Sequence, residues 1–241
     1  MTDQEGYIID NQTPEGRKQF IKNLFDDIVP TYDLLNHVLS AGIDTIWRRN
    51  MFRHMASVIH QPVIDLCCGT GDLSKICFQK GARLTSLDFS MNMLLKGRKR
   101  KALQGKLIQA DASRIPVHEN SFHTATIAFG IRNIPDLDHF IKEVYRVLKP
   151  GGQFAILELV RPRDPFINLL YRAYLEKLLP LIGGIVSGQP SAYQYLSKTI
   201  STFVDPYDLQ VMLEKYGFVK ARHFPQTFGV ATIIVCNKKE A

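Results

Sequence analysis

The chain has 241 residues, enough for one sizeable domain. Its usage, 45% apolar and 22% charged, is ordinary globular composition and excludes long disorder, collagen and a fibrous rod. No apolar run reaches the ~18 residues that a membrane span needs. The polar start, Met1-Thr2-Asp3-Gln4-Glu5, does not read as a secretory signal, so a cytoplasmic location is expected. Lys and Arg outnumber Asp and Glu by 30 to 23, a mild lean toward phosphate, nucleic acid or a lipid surface. The four cysteines, Cys67, Cys68, Cys77 and Cys236, show neither a C-x-x-C pair nor zinc-ligand spacing, and no metal is expected. They read as reduced thiols, two of them filling small spaces in a core.

Residues 14–57 are helical in pattern and hold the single Trp, Trp47. Val63-Ile64-Asp65-Leu66-Cys67-Cys68 is a short apolar strand that ends at Gly69-Thr70-Gly71. Asp72 to Gln79 reads as a helix stopped by Gly81. Arg83 to Asp88 is a second strand, and Ser90 caps a helix carrying Met91, Met93, Leu94 and Leu95. Lys106 to Asp111 is a third strand and Thr124 to Phe129 a fourth. Asp136 opens a helix with apolar residues at helical spacing, and Lys149-Pro150-Gly151-Gly152 ends it. Phe154 to Leu159 is a fifth strand. Arg222 to Gln226 and Val230 to Cys236 flank Gly229 and read as an antiparallel pair. Residues 164–190 are unusually apolar but interrupted by Arg172, Glu176 and Lys177, which suits a lid, a lipid-facing surface or a homodimer contact. Gly183, Gly184 and Gly188 are expected to make its end flexible.

Strands alternating with helices predict an α/β fold with a doubly wound, mostly parallel sheet. Ligands of such sheets bind beyond the carboxyl ends of the strands. There the sequence places Asp65-Leu66-Cys67-Cys68-Gly69-Thr70-Gly71-Asp72 after the first strand, Asp88 after the second and Asp111 after the third. A nicotinamide fingerprint is disfavoured, because Ser74 stands where a third Gly or Ala belongs and Asp72 puts negative charge where pyrophosphate would sit. A cationic ligand suits Asp72 better. The Asp88 carboxylate is suited to a ribose diol, and Asp111 to an adenine amino group.

These features resemble the class I S-adenosylmethionine-dependent methyltransferases. The resemblance implies a seven-stranded Rossmann-like sheet with its last strand reversed and a cofactor held by Asp65, Gly69, Thr70, Gly71, Asp88, Asp111, Ala112 and Ala128. Cys67 stands where many members have Gly, and its backbone is expected to avoid positive φ.

Two longer stretches narrow the family. Tyr32-Asp33-Leu34-Leu35-Asn36-His37-Val38-Leu39-Ser40 through Asp44 to Trp47 resembles the first signature of the ubiquinone/menaquinone biosynthesis C-methyltransferases. Arg146-Val147-Leu148-Lys149-Pro150-Gly151-Gly152 running into Ile156-Leu157-Glu158 resembles the second, and Ala128-Phe129-Gly130-Ile131-Arg132-Asn133 their strand-four motif. Asp44 departs from the family's usual His, Ala128 from its Ser, and Val160 from the Ser that commonly ends the second signature. The resemblance implies C-methylation of a prenylated hydroquinone in quinone biosynthesis, on the menaquinone or the ubiquinone route. Arg132, Asn133 and Tyr32 are the implied reaction residues, with His37 and Asp44 in reserve. A surface salt bridge from Arg132 to Asp136 or Asp138 is the plain alternative.

The implied organisation is an N-terminal helical, substrate-side extension over 1–57, then a methyltransferase domain over 58–241 with a helical lid at about 164–200. The basic run Lys96 to Lys101, with Lys106, reads as a solvated helix face or as an attraction to an anionic membrane. Other readings are a methyltransferase for another small aromatic or a sterol, and an RNA-binding protein with a vestigial cofactor fold. The last is disfavoured because the basic run contains no aromatic, so no nucleic-acid partner is expected.

Overall fold

The computed structural model describes residues 14–29, 37, 40, 42–100, 103, 106–181 and 190–240. The elements in chain order are α1 (Pro14–Ile28), α2 (Ile43–His54), β1 (Pro62–Leu66), α3 (Asp72–Gln79), β2 (Arg83–Asp88), α4 (Met91–Gly97), β3 (Lys106–Gln109) and β4 (Phe122–Ala128). They continue with α5 (Leu137–Val147), β5 (Leu148–Leu159), α6 (Pro165–Ala173), α7 (Pro190–Thr202), α8 (Pro206–Lys215), β6 (Phe218–Gln226) and β7 (Ala231–Lys238). The seven strands form one sheet in the order β3-β2-β1-β4-β5-β7-β6. The first five run parallel, and β7 inserts antiparallel between β5 and β6. This is the expected fold, reversed strand included.

Local chemistry explains the boundaries. Ser90 accepts the Met93 amide at 3.1 Å, so α4 starts where the cap lies. Asp136 caps α5 through the His139 amide at 2.9 Å. The buried stripe of α5 is Phe140, Ile141, Val144 and Val147, at i, i+1, i+4 and i+7. The helix ends before Lys149, as expected. β5, however, begins at once, at Leu148, which pairs with Phe122 across a register shift. Burial of both sheet faces accounts for the near-continuous apolar strands. One face packs on Phe140, Leu148, Phe154 and Phe218, the other on Trp47, Met51, Leu73 and Cys77. Cys77 and Cys236 are fully buried, and all four cysteines are free.

A third cluster lies outside these two. Leu24 and Ile28 of α1 meet Leu175 and Leu179, with Ile200 of α7. Leu175 sits in a π-helical turn, Tyr174–Leu178, that continues α6. The apolar segment is therefore tied to α1 by its inner face. Gly183, Gly184 and Gly188 lie outside the described residues.

Candidate active site

β1, β2 and β4 are neighbours and parallel, so their carboxyl ends open onto one edge. The chain leaves β1 through a tight turn with left-handed backbone at Cys67 (φ 51°), Gly69 (φ 55°) and Gly71 (φ 90°). The expectation that Cys67 avoids positive φ is thus corrected. The turn is held by the Cys68 amide on the Leu87 carbonyl at 3.0 Å and the Gly69 amide on Asp88 Oδ2 at 2.7 Å. These bonds outweigh a local cost of about 1–2 kcal/mol for a Cβ in that region. A side chain at Gly130 would fall 2.6 Å from the Cys67 Cβ, so the strand-four loop packs directly on this turn. Gly71 is required twice over: its φ is 90°, and a Cβ there would sit 1.9 Å from Leu103. Burial, with the Asp88 carboxylate nearby, pushes the Cys67 and Cys68 thiols up, so they are protonated and poor nucleophiles.

Asp88 is clamped by two backbone amides, Gly69 on Oδ2 at 2.7 Å and Ser90 on Oδ1 at 2.8 Å. Burial pushes its carboxyl up, against the pull of those amides. Its remaining lone pairs face an open cavity that Asp111, Ala112, Ala128 and Asn133 also line. Burial raises the Asp111 carboxyl, but the Lys18 ammonium and the Ser113 amide outweigh it and hold it below the usual range. A smaller recess of about 330 Å³ adjoins through shared Cys67, Gly69 and Ala128, and is lined by Arg48, Asp65, Thr70 and Asp72. Seven of the eight expected cofactor residues thus line one or the other of these two neighbouring recesses. Gly71 shapes the turn.

Asp65 differs from the others. It is fully buried, accepting from Ser74 Oγ at 2.5 Å and Thr126 Oγ1 at 2.9 Å. Burial pushes its carboxyl up to about 6, against those hydroxyls. It holds the start of α3 through Ser74.

After β4 the chain forms a single 3-10 turn, Ile131–Asn133. Asn133 lines the cavity and accepts from the Tyr195 hydroxyl at 3.2 Å. Arg132 is buried, and its partner is neither Asp136 nor Asp138. Its Nη1 donates to Glu158 Oε1 at 2.5 Å and to the Phe129 carbonyl at 2.8 Å. Asp136 is spent on its helix cap, and Asp138 accepts from Tyr216 and Lys215. The Nε of Arg132 is buried with no hydrogen-bond partner. Tyr32 lies outside the described residues.

His37 and Asp44 belong to a polar network beside the smaller recess. Asp44 takes His37 Nδ1 at 3.0 Å, Ser40 Oγ at 2.8 Å and the Arg48 guanidinium. Burial works against its ionisation, and those partners together hold its carboxyl below the usual range. Two members of the basic run are engaged within the fold, Lys96 donating to the Val29 carbonyl at 2.6 Å and Arg100 pairing with Asp72, while Arg98 and Lys99 are exposed. Asp72 therefore has cationic partners within the chain.

Sequence reasoning missed the cavity wall made by α1. Lys18, Ile21, Lys22 and Phe25 face Asp88 and Asp111. Their helical spacing was legible, but nothing in their chemistry marks a ligand. Glu158 was also missed, although a carboxylate ending an apolar strand is the signal that picked out Asp88.

The ubiE/COQ5 methyltransferase family model matches residues 12–238. A demethylmenaquinone methyltransferase of Thermus thermophilus is 38% identical over 217 residues, 88% of this chain and 98% of that one. A ubiquinone/menaquinone biosynthesis C-methyltransferase of Geotalea daltonii is 37% identical over 94% of this chain and 98% of its own. Among solved structures, an S-adenosylmethionine-dependent methyltransferase of Thermotoga maritima superposes with a TM-score of 0.66 at 16% identity, covering 90% of this chain and 99% of its own. A Haemonchus contortus phosphoethanolamine N-methyltransferase solved with S-adenosyl-L-methionine reaches 0.62 at 15% identity, covering 80% of this chain and 52% of its own. At such identities the structures speak for the fold alone. With the family model matched over nearly its whole length, this chain belongs to the ubiE/COQ5 methyltransferase family.

Proposed function

We propose that the chain is an S-adenosylmethionine-dependent enzyme that methylates a ring carbon of a prenylated hydroquinone, a step of menaquinone or ubiquinone synthesis. The observation that carries this reading is one cavity lined by both the clamped Asp88 and Asn133. The activities of the relatives supply the ring chemistry.

The donor set fits the cofactor. Asp88 would offer carboxylate lone pairs to a ribose diol, Asp111 with Ala112 would take the adenine, and Thr70 with Gly69 would take the amino-acid part. Asp65 is a positioning residue acting through Ser74. The cofactor supplies an electrophilic methyl group on a sulfonium.

The chain's own work is to orient the ring, exclude water and handle two protons. Asn133 orients a ring hydroxyl, its carbonyl steadied by Tyr195. Arg132 is charge-compensated by Glu158 and lines neither recess itself, so it steadies a developing phenolate from behind the turn that presents Asn133. The ring proton leaves through water toward this pair, since Arg itself is too weak a base. Tyr171 and Tyr174 of the α6 segment border the same quarter, and burial pushes both phenols up, keeping them neutral.

The α1 helix walls the cofactor side, and the inner face of the 164–181 segment packs on it through Leu175 and Leu179. The family match over residues 12–238 favours this reading over an RNA-binding protein. Incubating the purified protein with labelled S-adenosylmethionine and a panel of prenylated quinols, then weighing the products, tests the proposal. Transfer to a ring carbon is expected. Transfer only to non-quinol substrates would overturn it.

A further inference from the structure

The substrate class proposed above carries an apolar prenyl tail, so its home is the lipid bilayer. No helix among the described residues is long and apolar enough to cross a membrane. The chain must then meet its substrate at the bilayer surface.

Two observations mark where. The first is α6, which buries none of its residues. Phe166, Leu169 and Leu170 stand 66%, 66% and 53% exposed. Their i, i+3, i+4 spacing puts them on one helix face. Exposed Leu178 and Leu181 extend the apolar surface beyond the π-helical turn. Leu175 and Leu179 are the ones buried, against α1 and α7. The segment is thus apolar on both sides and partnered on only one. Scattered single leucines on a surface need no explanation, but a contiguous set does.

The second observation is independent. The connection from β6 to β7 carries three successive left-handed residues, Thr227, Phe228 and Gly229, with φ of 42°, 57° and 86°. An aromatic side chain seldom adopts that backbone, and here the conformation does not bury the ring: Phe228 is 80% exposed. The tip is nonetheless firmly held. Trp47 Nε1 donates to Thr227 Oγ1 at 2.9 Å, and the Val160 amide donates to the Val230 carbonyl at 3.0 Å. A Cβ on Gly229 would lie 3.8 Å from Pro162 Cα, so the tip rests against the segment that leads into α6. A held, strained backbone that presents an aromatic outward has its use outside the fold.

Charge decides the partner. Residues 161–181 carry Arg161, Arg163, Arg172 and Lys177 against Asp164 and Glu176, all exposed. Arg163 pairs with Asp205 at 3.0 Å and Arg172 with Glu176 at 2.7 Å, and Asp164 caps α6 through the Ile167 amide at 2.9 Å. Arg161 and Lys177 remain as a small positive excess at the fringe of the apolar surface, which matches anionic headgroups above an acyl interior.

We propose that Phe228 and the outward face of α6, Phe166, Leu169 and Leu170, dock on an anionic lipid bilayer beside the edge of the sheet where the substrate enters. Its purpose rests on the quinol reading. The docking itself does not. The basic run on α4 is not needed for it.

The test uses the full chain and sedimentation with vesicles of phosphatidylglycerol and phosphatidylcholine, set against vesicles of phosphatidylcholine alone. Wild type should bind the anionic vesicles, and less so at high salt. Phe228→Gly suits the left-handed backbone and keeps the fold, and Phe166→Ser with Leu169→Ser removes only exposed side chains. Each variant should bind at least about tenfold more weakly, the scale of one or two withdrawn apolar side chains. Their circular dichroism, and their methylation of a short-tailed quinol in detergent, should match wild type. Variants that sediment like wild type would overturn the proposal. So would variants that split a dimer while wild type ignores vesicles, since the face would then serve a second copy. Wild type that binds vesicles but methylates no quinol would support docking and overturn the catalytic reading.

Discussion

Lys18 of α1 places its ammonium 2.6 Å from the Asp111 carboxylate beyond the end of β3. That contact, with Ser90 Oγ on Asp26 at 2.5 Å, pins α1 across the cavity at two points. The Lys18 and Asp111 side chains are 30% and 24% exposed, so the pair contributes under about 1 kcal/mol to stability. Its effect on ligand binding is larger, because it positions a wall. Lys18→Glu should set two carboxylates against each other and swing that wall away. Calorimetry should show S-adenosylmethionine binding at least about tenfold more weakly, most strongly at low salt. Normal affinity would show that α1 merely covers the site.

Asp88 is the second test. Its two oxygens satisfy the Gly69 and Ser90 amides and so hold the turn after β1. Asp88→Asn keeps one acceptor and turns a donor toward the other amide. Cofactor affinity should fall by about 1–3 kcal/mol, with a stability loss of similar size. A stability loss with unchanged affinity would confine Asp88 to a structural role.

Arg132 needs a double variant. Arg132→Ala alone would strand Glu158, which is 1% exposed, and cost about 3–5 kcal/mol of stability. Any lost activity would then be uninterpretable. Arg132→Met with Glu158→Gln removes both charges. Stability should return to near wild type, cofactor affinity should hold, and kcat should stay down by about 10²-fold. Recovery of kcat in the double variant would show that the pair only braces the turn.

The same pair shows what the sequence could and could not disclose. The strand ends carrying Asp65, Asp88 and Asp111 were legible, because alternation dictates a parallel sheet and parallel sheets bind at one edge. The partner of Arg132 was not. Asp136 and Asp138 are near in sequence, but β4 and β5 are adjacent, with Ala128 beside Leu157, so Glu158 lies next to the Arg132 turn in space. Cys67 was misread for a related reason. Propensity disfavours its φ of 51°, and two hydrogen bonds from distant β2 enforce it. The apolar 164–190 segment read as one surface. Over its described part, 164–181, the structure divides it into an inner face held by α1 and an outer face left exposed, with the π-helical turn lying between Leu170 and Leu179.

Asp65 gives a prediction whose sign is opposite to the usual carboxylate. Burial raises its folded pKa from 3.8 to about 6, so the folded chain binds this proton more tightly than the unfolded chain. Its contribution to stability is full below about pH 4 and falls as pH rises through about 6. The two-unit gap corresponds to about 3 kcal/mol, an upper figure for a fully buried group. Asp44, Asp111 and Glu143 are held low and change stability in the other direction, so the wild-type curve alone is uninformative. The difference between wild type and Asp65→Asn isolates the one group. Asn keeps an acceptor for Ser74, and the Thr126 hydroxyl can turn toward the Ile64 carbonyl. Urea unfolding between pH 4 and pH 7 should show the variant gaining on wild type by up to about 3 kcal/mol, with most of the change before pH 6.5. A difference that stays flat across that range would mean Asp65 ionises in its buried site as readily as in water, its Ser74 and Thr126 bonds cancelling the cost of burial.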